Sequence, residues 1–328
     1  MKRWVALIAV MVLVWMLSIL IMGVGQLELI RSVFTGAFGS LDGFAGTLKE
    51  MTPLLGCGVA VYLALRAGMF NIGVEGQFMV GALAAVAVGL KVPGGLGIGL
   101  ALLAGALFGA FWALPAAWIR AFRGGHEVIS TIMLNEVARH ISTALLSGPM
   151  KDPNSQSEST ATLTSTLPPI VNQPMISAAL PITVVLLFVM AFWLRKTVKG
   201  FTLEMTGASV TVAKSAGVPV PWVLFNSLIS SGAIAGLCGA LHVLAIEHRV
   251  YSGFSSGFGF DALGVALLAG SQPWAMLGSA FAFGALKQGF STAGVMLSVP
   301  KGLSTLLLGM AILALGVYQS RKKEVKPS

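Results

Sequence analysis

An amide, a carboxylate and a second amide (Asn71, Glu75 and Gln77) interrupt the otherwise apolar stretch RAGMFNIGVEGQFMVGAL, residues 66–83. On a helix Asn71 and Glu75 are i and i+4, one above the other. The spacing recurs at Glu127, Thr131 and Asn135, and again at Glu136 and His140 with Arg139 beside them. Asp261 stands in the glycine- and serine-rich run YSGFSSGFGFDALGVALLAG (251–270), with Phe254, Phe258 and Phe260. Such groups exchange hydrogen bonds; they are neither nucleophiles nor metal clusters. In apolar surroundings they do one of two things. They tie helices together, at about 0.6 kcal/mol per bond on average, or they line a polar path. An acid facing lipid at mid-depth costs at least about 2.5 kcal/mol, so each must face protein or a watery route. Spacing alone leaves both roles open.

No enzyme constellation accompanies them. The chain lacks GxxxxGK[ST], HExxH and GxSxG, so it has no P-loop nucleotide site, zinc-protease helix or nucleophile elbow. His242 and His248 have no second ligand at helical spacing and fit core or interfacial positions. Cys57 and Cys238 lie inside apolar runs and imply neither a disulfide framework nor a metal site. The expectation is a protein that is not an enzyme, with no metal and no cofactor.

The elements that must hold these residues are membrane helices. Of 328 residues 56% are hydrophobic and 10% charged, with a mean hydropathy of +0.87, whereas soluble domains carry about 25% charge. Apolar runs lie at 4–24, 52–66, 72–90, 96–119, 127–147, 180–194, 221–245, 258–272, 273–291 and 302–320. A span needs about 20 residues, so the runs at 52–66, 180–194 and 258–272 are short. The predicted fold is all-α: a polytopic membrane bundle of about ten transmembrane helices, with short or re-entrant segments, forming a single domain over 1–328. The first run follows a basic start, but its apolar core is about twice a signal peptide's and no A-x-A site follows. It is read as an uncleaved helix. Dense glycine and serine before 258 point to broken backbone, which survives only beside protein or a cavity.

Ten spans place both termini on one side. With the termini cytoplasmic, the inner segments carry thirteen of the 21 Lys and Arg and the outer segments six, with Arg139 and Lys287 inside spans. This bias follows the positive-inside rule and accounts for the net charge of +9. No aromatic-basic interleaving suggests nucleic acid. The polar, proline-punctuated loop 148–179 falls outside. The segment 195–220 falls inside, where Thr206 to Ser215 is predicted to form a short amphipathic helix closed by Gly217 and Pro219. Gly105 with Gly109, and Gly232 with Gly236, have the small-xxx-small spacing of close helix contacts.

Four stretches carry a family resemblance: AGMFNIGVEGQFMVGALAA (67–85), GGHEVISTIMLNEVA (124–138), LEMTGASVTVAKSAGV (203–218) and GFGFDALGVALLAG (257–270). They resemble the membrane permease subunits of bacterial ABC importers, most nearly the simple-sugar and nucleoside permeases related to branched-chain amino-acid permeases. The resemblance covers about 50–320. It implies a multi-pass protein of the bacterial inner membrane that pairs with a second permease copy or paralogue. It also implies cytoplasmic ATPase subunits and an extracytoplasmic substrate-binding protein. Segment 203–218 is similar to the family's coupling segment: Gly207, Ala213, Ala216 and Gly217 fit its pattern and Lys214 lies within it. Glu204 stands where arginine is common, and Ser209-Val210 replace Asn-Pro, which suits an arrangement where a paralogous permease supplies the more typical segment.

The substrate-path candidates are Asn71, Glu75, Gln77, Glu127, Thr131, Asn135, Asn226, Phe258 and Asp261. Asn71, Glu75 and Gln77 are expected to start a span on the cytoplasmic side. The absence of an Arg/Lys cluster inside the spans argues for a neutral solute, with aromatic faces available to a nucleobase. A nucleoside is the leading reading and a simple sugar the alternative. A third possibility is a proton-coupled secondary transporter using Glu75, Glu127, Glu136 or Asp261, which has no evident need for the segment at 203–218.

Overall fold

The computed structural model describes residues 25–172, 175–298 and 309–310. The expected span 4–24, all but two residues of 302–320, and Lys2, Arg3, Lys301, Arg321, Lys322, Lys323 and Lys326 lie outside the described residues. The described elements are helices α1 (Gln26–Phe38), α2 (Leu41–Arg66), α3 (Val74–Gly89), α4 (Gly94–Arg123) and α5 (Glu127–Ser147), then a short antiparallel hairpin of β1 (Pro169–Asn172) and β2 (Met175–Ser177). There follow α6 (Ala179–Lys196), α7 (Val198–Ala208), α8 (Val210–Ser215), α9 (Val220–His242) continued by a π turn (Val243–Glu247), α10 (Phe258–Ala269) and α11 (Ala275–Met296).

Among the described residues, α2, α4, α6 and α9 with its π turn are long and apolar enough to cross a membrane, while α3 and α10 are apolar but shorter. The run at 52–66 is the inner part of a 26-residue helix. Ser40 starts it eleven residues earlier than hydropathy suggested, its Oγ accepting from Gly43 N at 3.0 Å, as an N-cap does. Helix α1 was not anticipated at all.

Glycine sets how closely the core helices approach. A Cβ on Gly236 of α9 would sit 2.2 Å from Gly105 O, one on Gly109 2.3 Å from Gly232 O, and one on Gly81 2.4 Å from Gly236 Cα. Helices α3, α4 and α9 therefore touch backbone to backbone, as the small-xxx-small spacings predict. On the far side of α4, Leu103, Leu107, Phe111 and Trp118 are half or more exposed, an apolar face suited to acyl chains rather than water.

The long polar loop is tied down. Thr160 N donates to Val250 O and Leu163 N to His248 O, both at 2.8 Å. Leu167 N reaches Leu244 O at 2.8 Å, inside the π turn. At the other end of the molecule the predicted helix over Thr206–Ser215 is two helices. The chain extends at Ser209 (φ −160°, ψ 111°), whose Oγ accepts from Val212 N and caps α8. A serine that competes for backbone hydrogen bonds favours this break over a continuous helix.

Candidate translocation site

Helix α2 stops at Arg66, and Gly68 turns the chain with φ +79°. Residues 68–73 then return toward the bundle centre without helical bonds before α3 begins. Asn71 Nδ2 donates to Ser231 Oγ at 2.8 Å, and Ser231 Oγ donates to Ala60 O at 2.6 Å. Ser231 lies eleven residues into α9, about 16 Å along its axis at 1.5 Å per residue. The amide cluster thus sits about midway along α9. The cluster does open α3, as expected, but an unwound segment precedes that helix and sets it back from the Arg66 end of α2.

Unwound backbone inside a bilayer must find its hydrogen bonds in the protein. The predicted polar residues supply them. Asn71 Oδ1 accepts from Gly73 N at 3.1 Å, and Asn71 and Gln77 pair amide to amide at 2.8 and 3.2 Å. Asn135 on α5 accepts from Gly76 N at 2.8 Å and donates to Ile72 O at 2.9 Å. Glu127 accepts from Phe70 N at 3.4 Å and pairs with Arg120 at 3.1 Å. Thr131 donates to Glu127 O at 2.7 Å and packs against Gly73. Asn71, Gln77, Thr131 and Asn135 are at most 4% exposed. The stripe on α5 faces this segment and braces it.

Glu75 joins a second interrupted element. Its carboxylate accepts from Ser255 Oγ at 2.5 Å and from Gly259 N at 2.7 Å. It lies in the first turn of α3 and caps the first turn of α10, which begins after Gly257 at φ +81°. Two helix N-termini, each with partial positive charge, thus share one carboxylate. A Cβ on Gly259 would fall 2.3 Å from Glu75 N, so only glycine permits this meeting.

Beyond α10 lies a charged group that spacing did not expose. Lys287, twelve residues into α11, donates to Asp261 Oδ2 at 2.8 Å and Ser256 O at 3.1 Å, and lies 4.4 Å from the centre of the Phe258 ring. Glu50 on α2 has a buried carboxylate oxygen with no hydrogen bond among the described residues, within electrostatic reach of Lys287, Lys49, Glu247 and Asp261. Lys49 and Glu247 pair at 3.2 Å. Sequence reasoning missed Glu50 and this pair, because Lys49 and Glu50 fall before the apolar run at 52–66 although α2 already begins at Leu41, and Glu247 falls just after the run at 221–245. Phe254 and Phe258 are buried against Phe78, and His242 packs on Phe258; Phe260 is 47% exposed. Asn226 is exposed near the start of α9, apart from this cluster. Glu136 is exposed and pairs with Arg139.

At the Arg66 end, Arg66 grips Glu204 of α7 through Nε at 3.0 Å and Nη2 at 2.7 Å. Glutamate at a position where arginine was expected is explained by this partner. Gly207 lies against the turn at 66–68, since its Cβ would be 2.1 Å from Arg66 O. Ala213 is fully buried, whereas Phe201, Val210, Val212 and Lys214 are exposed. Gly217 takes φ +78° and ends the segment.

The family described as branched-chain amino acid transport system, permease component, matches residues 43–316. The chain belongs to this family. It is therefore a permease component, an all-α multi-pass membrane protein whose role is passage rather than catalysis. Among its relatives, the guanosine ABC transporter permease protein NupP of Bacillus subtilis (strain 168) is 32% identical over 289 residues, covering 86% of this chain and 83% of its own. The glucose ABC transporter permease protein TsgB13 of Haloferax volcanii is 32% identical over 297 residues (86% and 78%). The nucleoside ABC transporter permease protein NupB of Lactococcus lactis subsp. cremoris is 29% identical over 273 residues (79% and 75%). No solved structure matches the chain. Family membership favours an ABC permease over a proton-coupled carrier. The four candidate proton carriers are also all engaged: Glu75 by α10, Glu127 by Arg120, Glu136 by Arg139 and Asp261 by Lys287.

Proposed function

We propose that this permease imports a neutral nucleoside, powered by ABC ATPase subunits and supplied by an extracytoplasmic substrate-binding protein. The observation that carries the substrate is the likeness over most of the chain to permeases named for guanosine and for nucleosides. The charge pattern agrees. Lys287, the cation beside the α3–α10 junction, is neutralised by Asp261, so no free cation stands at that junction among the described residues to hold a phosphate or carboxylate. The route runs past the α3–α10 junction, where Glu75 meets Gly259 and Lys287 meets Asp261 and Phe258, with Phe260 exposed nearby in the sequence. Asn71, Gln77, Glu127, Thr131 and Asn135 act there by holding the unwound segment in shape, and Asn226 lies toward the route's inner end.

The bundle has ten spans in this reading: the four long apolar helices, α5, α11, the short α3 and α10, and the runs 4–24 and 302–320. The termini are cytoplasmic in the bacterial inner membrane, and the whole chain forms one domain. Two permeases, identical or paralogous, build the pore. Helices α7 and α8 dock on the ATPase through Phe201, Val210, Val212 and Lys214, while Glu204, Gly207, Ser209, Ala213 and Gly217 hold those helices in position. Competition on the assembled transporter tests the substrate. Guanosine, adenosine, inosine or uridine displaces labelled substrate if the proposal holds. Displacement by glucose, ribose or galactose but by no nucleoside replaces it with the sugar reading.

A further inference from the structure

A groove of about 520 Å³ opens on the outer face of α6, walled by Phe188, Val189 and Phe192 and closed by Trp274 from the turn between α10 and α11. The Phe188 and Trp274 rings pack with centroids 4.7 Å apart. Phe188, Val189 and Phe192 are each half or more exposed, so the groove faces the surrounding membrane. At one end stand Arg195 and Lys196, both exposed, and neither forms an ion pair among the described residues. Phe188 lies eight residues before Lys196, about 12 Å along the helix. The site therefore has an apolar trough running into the bilayer and two cations at its mouth.

Cations at the end of a spanning helix satisfy the positive-inside bias and the helix dipole without any ligand. What they do not explain is a trough of ligand-pocket size, on the scale of about 300–1,000 Å³, continuous with them and completed by an aromatic from another element. A second groove of the same volume, between α1 and α11, is lined by apolar residues alone and has nothing with which to select a headgroup. We propose that the α6–Trp274 groove binds an anionic phospholipid of the bilayer. An acyl chain lies between Phe188, Phe192 and Trp274, and the phosphate-bearing headgroup is held by Arg195 and Lys196. Basic pockets between transmembrane helices recognise anionic headgroups in this way. The occupant is a lipid and not a soluble anion, because the trough below the cations is apolar. This inference does not depend on which solute the permease carries.

The test uses the full chain in lipid nanodiscs and reads tryptophan quenching by bromine-labelled acyl chains. Brominated phosphatidylglycerol is compared with brominated phosphatidylcholine, and the Trp274→Phe variant isolates the signal of Trp274 among seven tryptophans. The expected result is Trp274 quenching at roughly tenfold lower phosphatidylglycerol than phosphatidylcholine, given two cations at the headgroup. Arg195→Gln with Lys196→Gln removes that preference, whereas Arg123→Gln, an exposed cation at the end of α4, leaves it in place. Equal quenching by the two lipids in the unaltered protein overturns the proposal, and that comparison requires no charge variant to fold. Equal loss of preference in Arg123→Gln also overturns it, since the effect is then general surface charge.

Discussion

Asn135→Ala tests the bracing role most sharply. The asparagine satisfies one backbone group of α3's first turn, Gly76 N–H at 2.8 Å, and one of the unwound segment, Ile72 C=O at 2.9 Å. Gly76 N–H belongs to the first turn of α3, where no intrahelical partner exists, so Asn135 serves as a cap delivered from another helix. An unsatisfied buried group costs about 1–3 kcal/mol, which gives about 2–6 kcal/mol for the pair. Membrane hydrogen bonds average about 0.6 kcal/mol because the unfolded chain finds other partners, which gives about 1.2 kcal/mol. The larger range has the stronger physical case here. The site is only 4% exposed, and the bonds are to a first-turn N–H and an unwound carbonyl, neither of which has a helical alternative. A loss of about 2 kcal/mol or more is expected in reversible unfolding of the purified protein. Transport capacity should fall with it while the substrate concentration at half-maximal rate changes little. A variant as stable as the parent, with that concentration raised tenfold, would place Asn135 in contact with substrate and refute the bracing argument.

Two further perturbations follow from the ion pairs. Arg66→Glu and Glu204→Arg should each weaken retention of the ATPase in pull-downs, by an amount set by a partly exposed pair worth about 0.2–1 kcal/mol; the double reversal should recover it, and failure to recover argues that Arg66 does not orient α7. Lys287→Met leaves Asp261 charged without its partner and should cost several kcal/mol of stability, while Lys287→Met combined with Asp261→Asn should cost less than Lys287→Met alone in the same unfolding assay.

The helical membrane character was legible because apolar composition and run length leave no other solution. So were the close glycine contacts, since small residues four apart on facing helices admit backbone contact and little else. The polar residues were legible as a set but not in their depth or role. Nothing in 66–73 distinguishes a helix start at the membrane surface from an unwound return to mid-depth, because hydropathy averages across the break. The partners also come from far along the chain: Ser231 to Asn71, Gly259 to Glu75, Lys287 to Asp261. Helical spacing reports only neighbours on one helix, so it paired Asn71 with Glu75, whereas Asn71 bonds to Gln77 and Ser231. In the segment 203–218, family pattern marked Gly207 and Ala213. The close backbone approach of Gly207 to Arg66 and the burial of Ala213 show that pattern residues can be those that hold a segment in place, while Phe201, Val210 and Val212 are exposed.

The central claim, ATP-driven passage of a neutral nucleoside, is tested most directly by uptake into sealed vesicles carrying the assembled transporter. Labelled guanosine is supplied outside, with ATP held constant or depleted on the ATPase side. The account predicts uptake that stops when ATP is depleted and persists when a protonophore collapses the proton gradient at constant ATP. Uptake that survives ATP depletion and is abolished by the protonophore would contradict it.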